Sequence, residues 1–81
     1  MKWRHTNKSK EDYRDAPTEI QGAFDKQARL LASSLRHPSL RAKKINGTDD
    51  IWQARVTRGW RFYFQIVGDT YFIVRIIPHP K

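Results

Sequence analysis

Polar and apolar positions change their period once along the chain. Up to about residue 50 the apolar residues are sparse and recur at intervals of three and four; from Ile51 onward they recur at intervals of two, in runs broken only by glycines. The first spacing belongs to helices with one buried stripe, the second to strands with one buried face. Residues 2–6, where Trp3 and His5 alternate with charged neighbours, can add a short edge strand. Ser9 followed by Glu11 and Asp12 predicts a first helix with acids in its opening turn, where the helix dipole favours them. It should stop before Pro17, because the residue preceding a proline is pushed out of helical conformation. A second helix is predicted over residues 18–34. Thr18-Glu19-Ile20-Gln21 has the form of a capping box with Thr18 at the N-cap, and Ile20, Ala23, Phe24, Ala28, Leu31 and Leu35 make one stripe while Asp25, Lys26 and Arg29 face water. His37-Pro38 closes the element, and a basic connection over residues 40–45 leads to the turn Asn46-Gly47.

In the second half Trp52, Ala54 and Val56 alternate with Gln53, Arg55 and Thr57, and Phe62, Phe64 and Ile66 alternate with Arg61, Tyr63 and Gln65. A tight connection at Arg58-Gly59-Trp60 makes this a hairpin. Pairing Val56 with Phe62, Ala54 with Phe64 and Trp52 with Ile66 keeps each set together and places Arg55 opposite Tyr63, with Arg61 beside both. Gly68-Asp69 then turns into residues 70–77, a nearly continuous apolar strand expected to be central and buried on both faces, interrupted by Arg75. A two-residue turn would pair Arg75 with Phe62 and an odd-length loop would set it on the arginine face; the second is expected, since an unpaired arginine in a core is costly. The predicted fold is α+β: N-terminal helices on one face of a three- to four-stranded, mainly antiparallel sheet, as one domain over residues 1–81, with the other face open.

Charge adds a partner to this picture. The 81 residues carry 16 Lys and Arg against 8 Asp and Glu, a formal charge of +8 with histidine neutral. Such a field concentrates polyanions, so nucleic acid or an acidic protein is the expected partner. The absence of cysteine excludes disulfides and thiolate zinc sites. No apolar run approaches the roughly 20 residues that span a bilayer, and the first residues lack a signal-peptide stretch, so a soluble cytoplasmic protein without membrane partners is expected. His5, His37 and His79 are scattered without metal-ligand spacing, so neither a metal nor another cofactor is expected. Gly-rich phosphate loops, nucleophile elbows and paired carboxylates are likewise missing.

The open face is expected to carry Arg55, Arg61, Tyr63 and Gln65, joined by Arg75. Guanidiniums grip phosphate oxygens in pairs and aromatic rings stack on splayed bases, so this face suits a phosphodiester chain. Lys43 and Lys44 stand at its rim, and Trp60 at the turn tip can stack on a base, whereas Trp52 falls in the core alternation. His79, held between Pro78 and Pro80, can act as general acid or base. The same arginines would also serve any half-solvated sheet that needs polar residues.

Tyr13-Arg14, then Pro17-Thr18-Glu19-Ile20, the run from Arg36-His37-Pro38 to Lys43-Lys44-Ile45, Gly47, the run from Ile51-Trp52 through Arg55-Val56-Thr57-Arg58-Gly59-Trp60-Arg61-Phe62, Gly68-Asp69-Thr70 and Pro78-His79 occur in this order. As an ordered set covering almost the whole chain they resemble the RelE/ParE superfamily of bacterial type II toxins. The resemblance implies a toxin that enters the ribosomal A site and cuts mRNA, using the 2′-hydroxyl as nucleophile against its adjacent phosphate, and held silent by a cognate antitoxin. By position, Arg61 resembles the sheet arginine at the scissile phosphate, Arg55 the basic residue on the preceding strand, and His79 the C-terminal acid or base. Lys43, Lys44, Arg58, Trp60, Tyr63 and Arg75 are the expected RNA contacts, and the expected partners are the antitoxin, mRNA and the ribosome. Two departures stand out: Pro80 occupies the place of a tyrosine that follows the histidine in one subgroup, and residues 37–45 contain no acid. The general base is therefore open, and two alternatives stay open with it: a ParE-like toxin that inhibits DNA gyrase without cutting RNA, and a catalytically inactive basic binding module.

Overall fold

A computed structural model describes residues 1–45, 47 and 50–79; the predicted turn residue Asn46, the acid Asp49 and the terminal Pro80 lie outside them. The element order is β1 (Lys2–His5), α1 (Asn7–Asp15), α2 (Thr18–Ser33), a 3-10 turn at Pro38–Leu40, β2 (Lys43–Lys44), β3 (Trp52–Thr57), β4 (Trp60–Val67) and β5 (Thr70–Pro78). They form one five-stranded sheet in the order β1-β5-β4-β3-β2. Only β1 runs parallel to its neighbour. The α+β architecture is the predicted one, with five strands in place of three or four. β1 takes the outer edge of β5, and Lys43–Lys44, expected as part of a connection, pair with Gln53 and Trp52. A two-residue strand is too short to show a period, which is why its sequence reads as a loop.

Both helix starts differ from expectation. Thr6, not Ser9, caps α1: the Thr6 side chain accepts from the Ser9 N–H and the buried Ser9 hydroxyl accepts from the Thr6 N–H at 3.0 Å, a reciprocal box. The helix thus begins earlier, and Glu11 and Asp12 fall beyond the first turn. In α2 the Pro17 carbonyl already accepts from Ile20 and Gln21, so Thr18 is the first helical residue and makes no side-chain cap. Gln21 instead donates its amide to the Tyr13 carbonyl at 2.7 Å, tying the two helices together.

The α2 stripe is buried as expected at Ile20, Phe24, Ala28 and Leu31, and it packs on Ala54, Val56, Phe62, Phe64, Tyr71, Ile73 and Ile76. Phe24 is the hub, with the rings of Trp3, Tyr13 and Phe62 edge-on to it at 5.5, 5.9 and 5.3 Å. One polar side chain, Gln27, lies buried in this stripe. Its amide donates to the carbonyls of Ser39 and Arg55 at 3.0 and 2.9 Å, pinning the 3-10 turn and β3 to α2.

The hairpin register is displaced by two residues from the expected one. Ala54 faces Phe62, Trp52 faces Phe64, Gln53 faces Tyr63 and Arg55 faces Arg61, and a bulge between Arg55 and Thr57 leaves the turn at Arg58-Gly59. An even displacement keeps every side chain on its predicted face. Along β5 the structure combines both expected alternatives. Gly68, at φ 60°, and Asp69 do form a two-residue turn, pairing Val67 with Thr70. A second bulge then adds one residue to β5 beside Tyr63 and Phe64, so Arg75 faces Tyr63 and Ile76 faces Phe62. β5 is flanked by β1 and β4 but is not the middle strand, and Phe72 and Ile77 on its helix-free side are only half-buried. The expectation of a central strand buried on both faces is corrected accordingly.

Candidate functional site

Arg55 and Arg61 are direct cross-strand partners on the sheet face that the helices leave open. Two local devices position them. Gln27 holds the Arg55 carbonyl where the bulge interrupts the β3–β4 ladder. The Arg61 guanidinium folds back on the hairpin turn, donating to the carbonyls of Thr57, Trp60 and Arg58 at 2.7, 2.9 and 3.1 Å. The end of β5 is drawn to the same turn, since the His79 N–H donates to the Gly59 carbonyl at 2.8 Å. The imidazole thereby arrives beside the arginines.

Together these groups line a cleft of about 260 Å³ formed by Arg41, Lys43, Gln53, Arg55, Arg61 and His79. Four of the six carry a fixed positive charge and none carries a carboxylate. Arg41, Lys43, Arg55 and Arg61 form no ion pair among the described residues. Burial, followed by the charges of Arg41, Arg61 and Arg58, lowers the pKa of the Arg55 guanidinium from its ordinary value. Its Nε is buried without a hydrogen-bond partner among the described residues. A cluster of like charges that includes an unmet donor is poorly satisfied by the protein itself and is well suited to a polyanion.

Of the predicted site residues, Arg55, Arg61, His79 and Lys43 converge here, and the others do not. Arg75 emerges opposite Tyr63, outside the cleft lining, with its guanidinium bound to Asp12 of α1 at 2.7 Å. Lys44 pairs with Asp50 at 2.7 Å on the rim. Trp60 is half-buried and packs against the core, outside the cleft lining. Arg58 lies on the exposed turn and Tyr63 on the open face, both outside the lining of the cleft, although the Arg58 charge reaches Arg55.

Sequence reading missed Gln53 and Arg41. Gln53 alternates with Arg55 and could have been found from the period alone. Arg41 could not: it follows the 3-10 turn in the left-handed region, at φ 47° and ψ 42°, and only that conformation carries the chain around to the edge of β3. A non-glycine residue there stores roughly 1 kcal/mol of backbone strain. Arg41→Gly is therefore expected to stabilise the fold by about 1 kcal/mol in thermal melts while weakening polyanion binding.

Among the described residues no group of three or more His, Asp or Glu is placed to hold a metal ion, and no helix is long and apolar enough to cross a membrane.

No protein-family model matches the chain, and no curated protein matches it by sequence. Solved structures do. A YoeB/ParE toxin from Agrobacterium tumefaciens superposes with a TM-score of 0.83 at 17% identity, over 99% of this chain and 100% of that one. The RelBE2 toxin-antitoxin complex from Mycobacterium tuberculosis contains a chain that matches with a TM-score of 0.81 at 20% identity, over 96% of both. The isolated RelE toxin of E. coli gives 0.79 at 14% identity, over 99% of this chain and 85% of that one. At such identities the agreement is one of fold: the chain has the RelE/ParE-like architecture along essentially its whole described length.

Proposed function

We propose that this chain, built on the RelE/ParE-like fold, is the toxin of a type II toxin-antitoxin pair and acts as an endoribonuclease on mRNA at the ribosome. The observation that carries the reading is the basic cleft, without an acid among its described lining residues, in which Arg41, Lys43, Arg55 and Arg61 meet Gln53 and His79 on a face no helix covers. In the reaction the 2′-oxygen attacks the adjacent phosphorus, the 2′-proton leaves to a base, and the P–O5′ bond breaks. The products are a 2′,3′-cyclic phosphate and a 5′-hydroxyl. Arg55 and Arg61 face the negative charge that builds on the phosphorane oxygens, where preorganised donors lower a barrier by several kcal/mol. Gln53 offers a neutral amide to the same oxygens, and protonated His79 delivers a proton to the departing 5′-oxygen. Cleavage needs one proton removed and one supplied, whereas the described lining of the cleft holds one imidazole, His79, and no carboxylate. The other transfer then falls to water or to a group of the ribosome, which is why the reading places the reaction there.

The same shortage favours a second reading, a non-cleaving inhibitor of a protein target such as DNA gyrase. Induced expression followed by transcript-end mapping separates the two. Cuts within translated codons that leave cyclic phosphates support the nuclease; intact transcripts together with a DNA-damage response support the inhibitor. His79→Ala is expected to slow cleavage by about 10²-fold or more with RNA affinity unchanged. The partner in either case is a cognate antitoxin, whose acidic segment would neutralise the cleft and block access to it.

A further inference from the structure

A second cleft of about 230 Å³ opens where α2 runs into the 3-10 turn, and it abuts the arginine cleft. Leu35, Pro38 and Trp52 supply its apolar walls, and Arg36, His37 and Arg41 its polar rim. Arg41 lines both clefts. Along β3, Trp52 belongs to the set facing the helices, while Gln53 and Arg55 point to the open side. The clefts therefore lie on the two sides of the β3 edge and join at residue 41. β2 pairs with that edge at Gln53 and Trp52, and among the described residues no strand pairs with it at the level of Arg55.

We propose that this second cleft is a nucleobase subsite. It takes one unpaired base of the RNA strand whose phosphate lies in the arginine cleft, with Arg41 on the phosphate between them. The inference rests on the RNA reading above and assigns the cleft to the same substrate. Trp52 is suited to the task because its indole is stacked on Phe64 at 6.1 Å and 18° and is only half-buried. A ring held rigid from behind is a ready stacking surface for any base. The opposite rim is a donor. The Ser39 N–H points at His37 Nδ1 at 3.2 Å, so the neutral ring carries its proton on Nε2, free to meet an oxygen or nitrogen on the base edge or the ribose. With two guanidiniums, one imidazole donor and, among the described residues, no acid around an apolar floor, the cleft matches an aromatic heterocycle joined to an anion. An apolar side chain of a protein partner would leave those donors unmet.

The test measures binding of two probes to the full chain: a 2′-O-methyl hexaribonucleotide, which cannot be cleaved, and a hexamer with the same phosphates and no bases. The wild-type protein should bind the base-bearing oligomer more tightly. Trp52→Leu should weaken that oligomer roughly fivefold or more, the lower range for loss of one base stack, and leave the abasic one unchanged. His37→Ala, at an exposed position, should show the same selective loss and keeps the idea testable if Trp52→Leu fails to fold. Equal affinities for the two probes in the wild type, or equal or absent losses in both variants, overturn the subsite. If these variants instead abolish capture of an acidic antitoxin peptide and leave both oligomers unaffected, the cleft belongs to a protein and the proposal falls. Failure of the underlying RNA reading is read separately, from an Arg55→Ala variant that binds both oligomers as well as the wild type does.

Discussion

Arg55→Ala is expected to abolish growth arrest on induction and lower RNA cleavage by at least about 10²-fold, while the melting temperature stays level or rises. The two effects come from one cause. Among the described residues the Arg55 guanidinium stands near Arg41, Arg58 and Arg61, has no ion pair and keeps its Nε buried without a partner, so the protein gains little from its charge. A phosphorane placed in the cleft would meet the Arg55 charge and the surrounding charges at once. Removing the side chain deletes the function and relieves the repulsion. Arg61 makes the instructive comparison. Its guanidinium donates to three carbonyls of the β3–β4 turn, so Arg61→Ala loses activity and stability together. A loss of toxicity at Arg61 alone is therefore ambiguous, and at Arg55 it is not. Induced growth curves, cleavage rates and thermal melts on the two purified variants check this; full toxicity in Arg55→Ala would remove the cleft from the mechanism.

The faces of the sheet were legible because side-chain direction depends only on parity. The hairpin register was misread by two residues, yet Arg55 and Arg61 remained together on the open side. Position along a strand was not legible where bulges intervene. The bulge beside Tyr63 reverses the parity of β5, and no residue type near Val74 announces it. Caps were legible as chemistry but misplaced: Thr6 and Ser9 form the box that Thr18 and Gln21 spell out, because the Pro17 carbonyl starts α2 before Thr18 can cap it. The fate of Arg75 shows the same limit. Its charge is plain from sequence, but its partner Asp12 lies 63 positions away, and only the docking of α1 against β5 brings the two together. Contributions such as Arg41 and Gln27 depend on a left-handed residue and a bulged carbonyl, features of the assembled backbone that carry no periodic signal.

Asp12→Ala is expected to destabilise the fold strongly. β1 covers the outer edge of β5 only as far as the pairing of His5 with Ile73. Beyond it Asp12 takes over: its carboxylate accepts the Ile76 N–H at 3.0 Å and the Arg75 Nε at 2.7 Å, closing an edge that would otherwise offer an unpaired backbone donor. The Asp12 side chain is 11% exposed and that of Arg75 40%, so solvent screens the arginine and the pair is worth less than a fully buried one. Loss of these hydrogen bonds, a longer one from the Arg75 Nη2 at 3.4 Å among them, and of the charge contact should cost about 2–3 kcal/mol, a drop in melting temperature of roughly 10 °C or more for a chain this size. Asp12→Asn keeps an acceptor for Ile76 and should lose about half as much. The pH dependence fixes the cause. Burial pushes the Asp12 carboxyl up, but the hydrogen bonds from Arg75 and Ile76, together with the Arg75 charge, outweigh it and hold the group below its ordinary value. As the pH falls below the ordinary aspartate value, about 4, the unfolded chain takes up a proton that the folded chain refuses, so this part of the stability drains away until the lowered pKa is passed. Above that range the contribution is complete. Denaturation followed from pH 7 down to pH 3 should therefore show an acid loss in the wild type that is diminished in Asp12→Asn; identical acid profiles would mean that the edge of β5 is held by something other than this carboxylate.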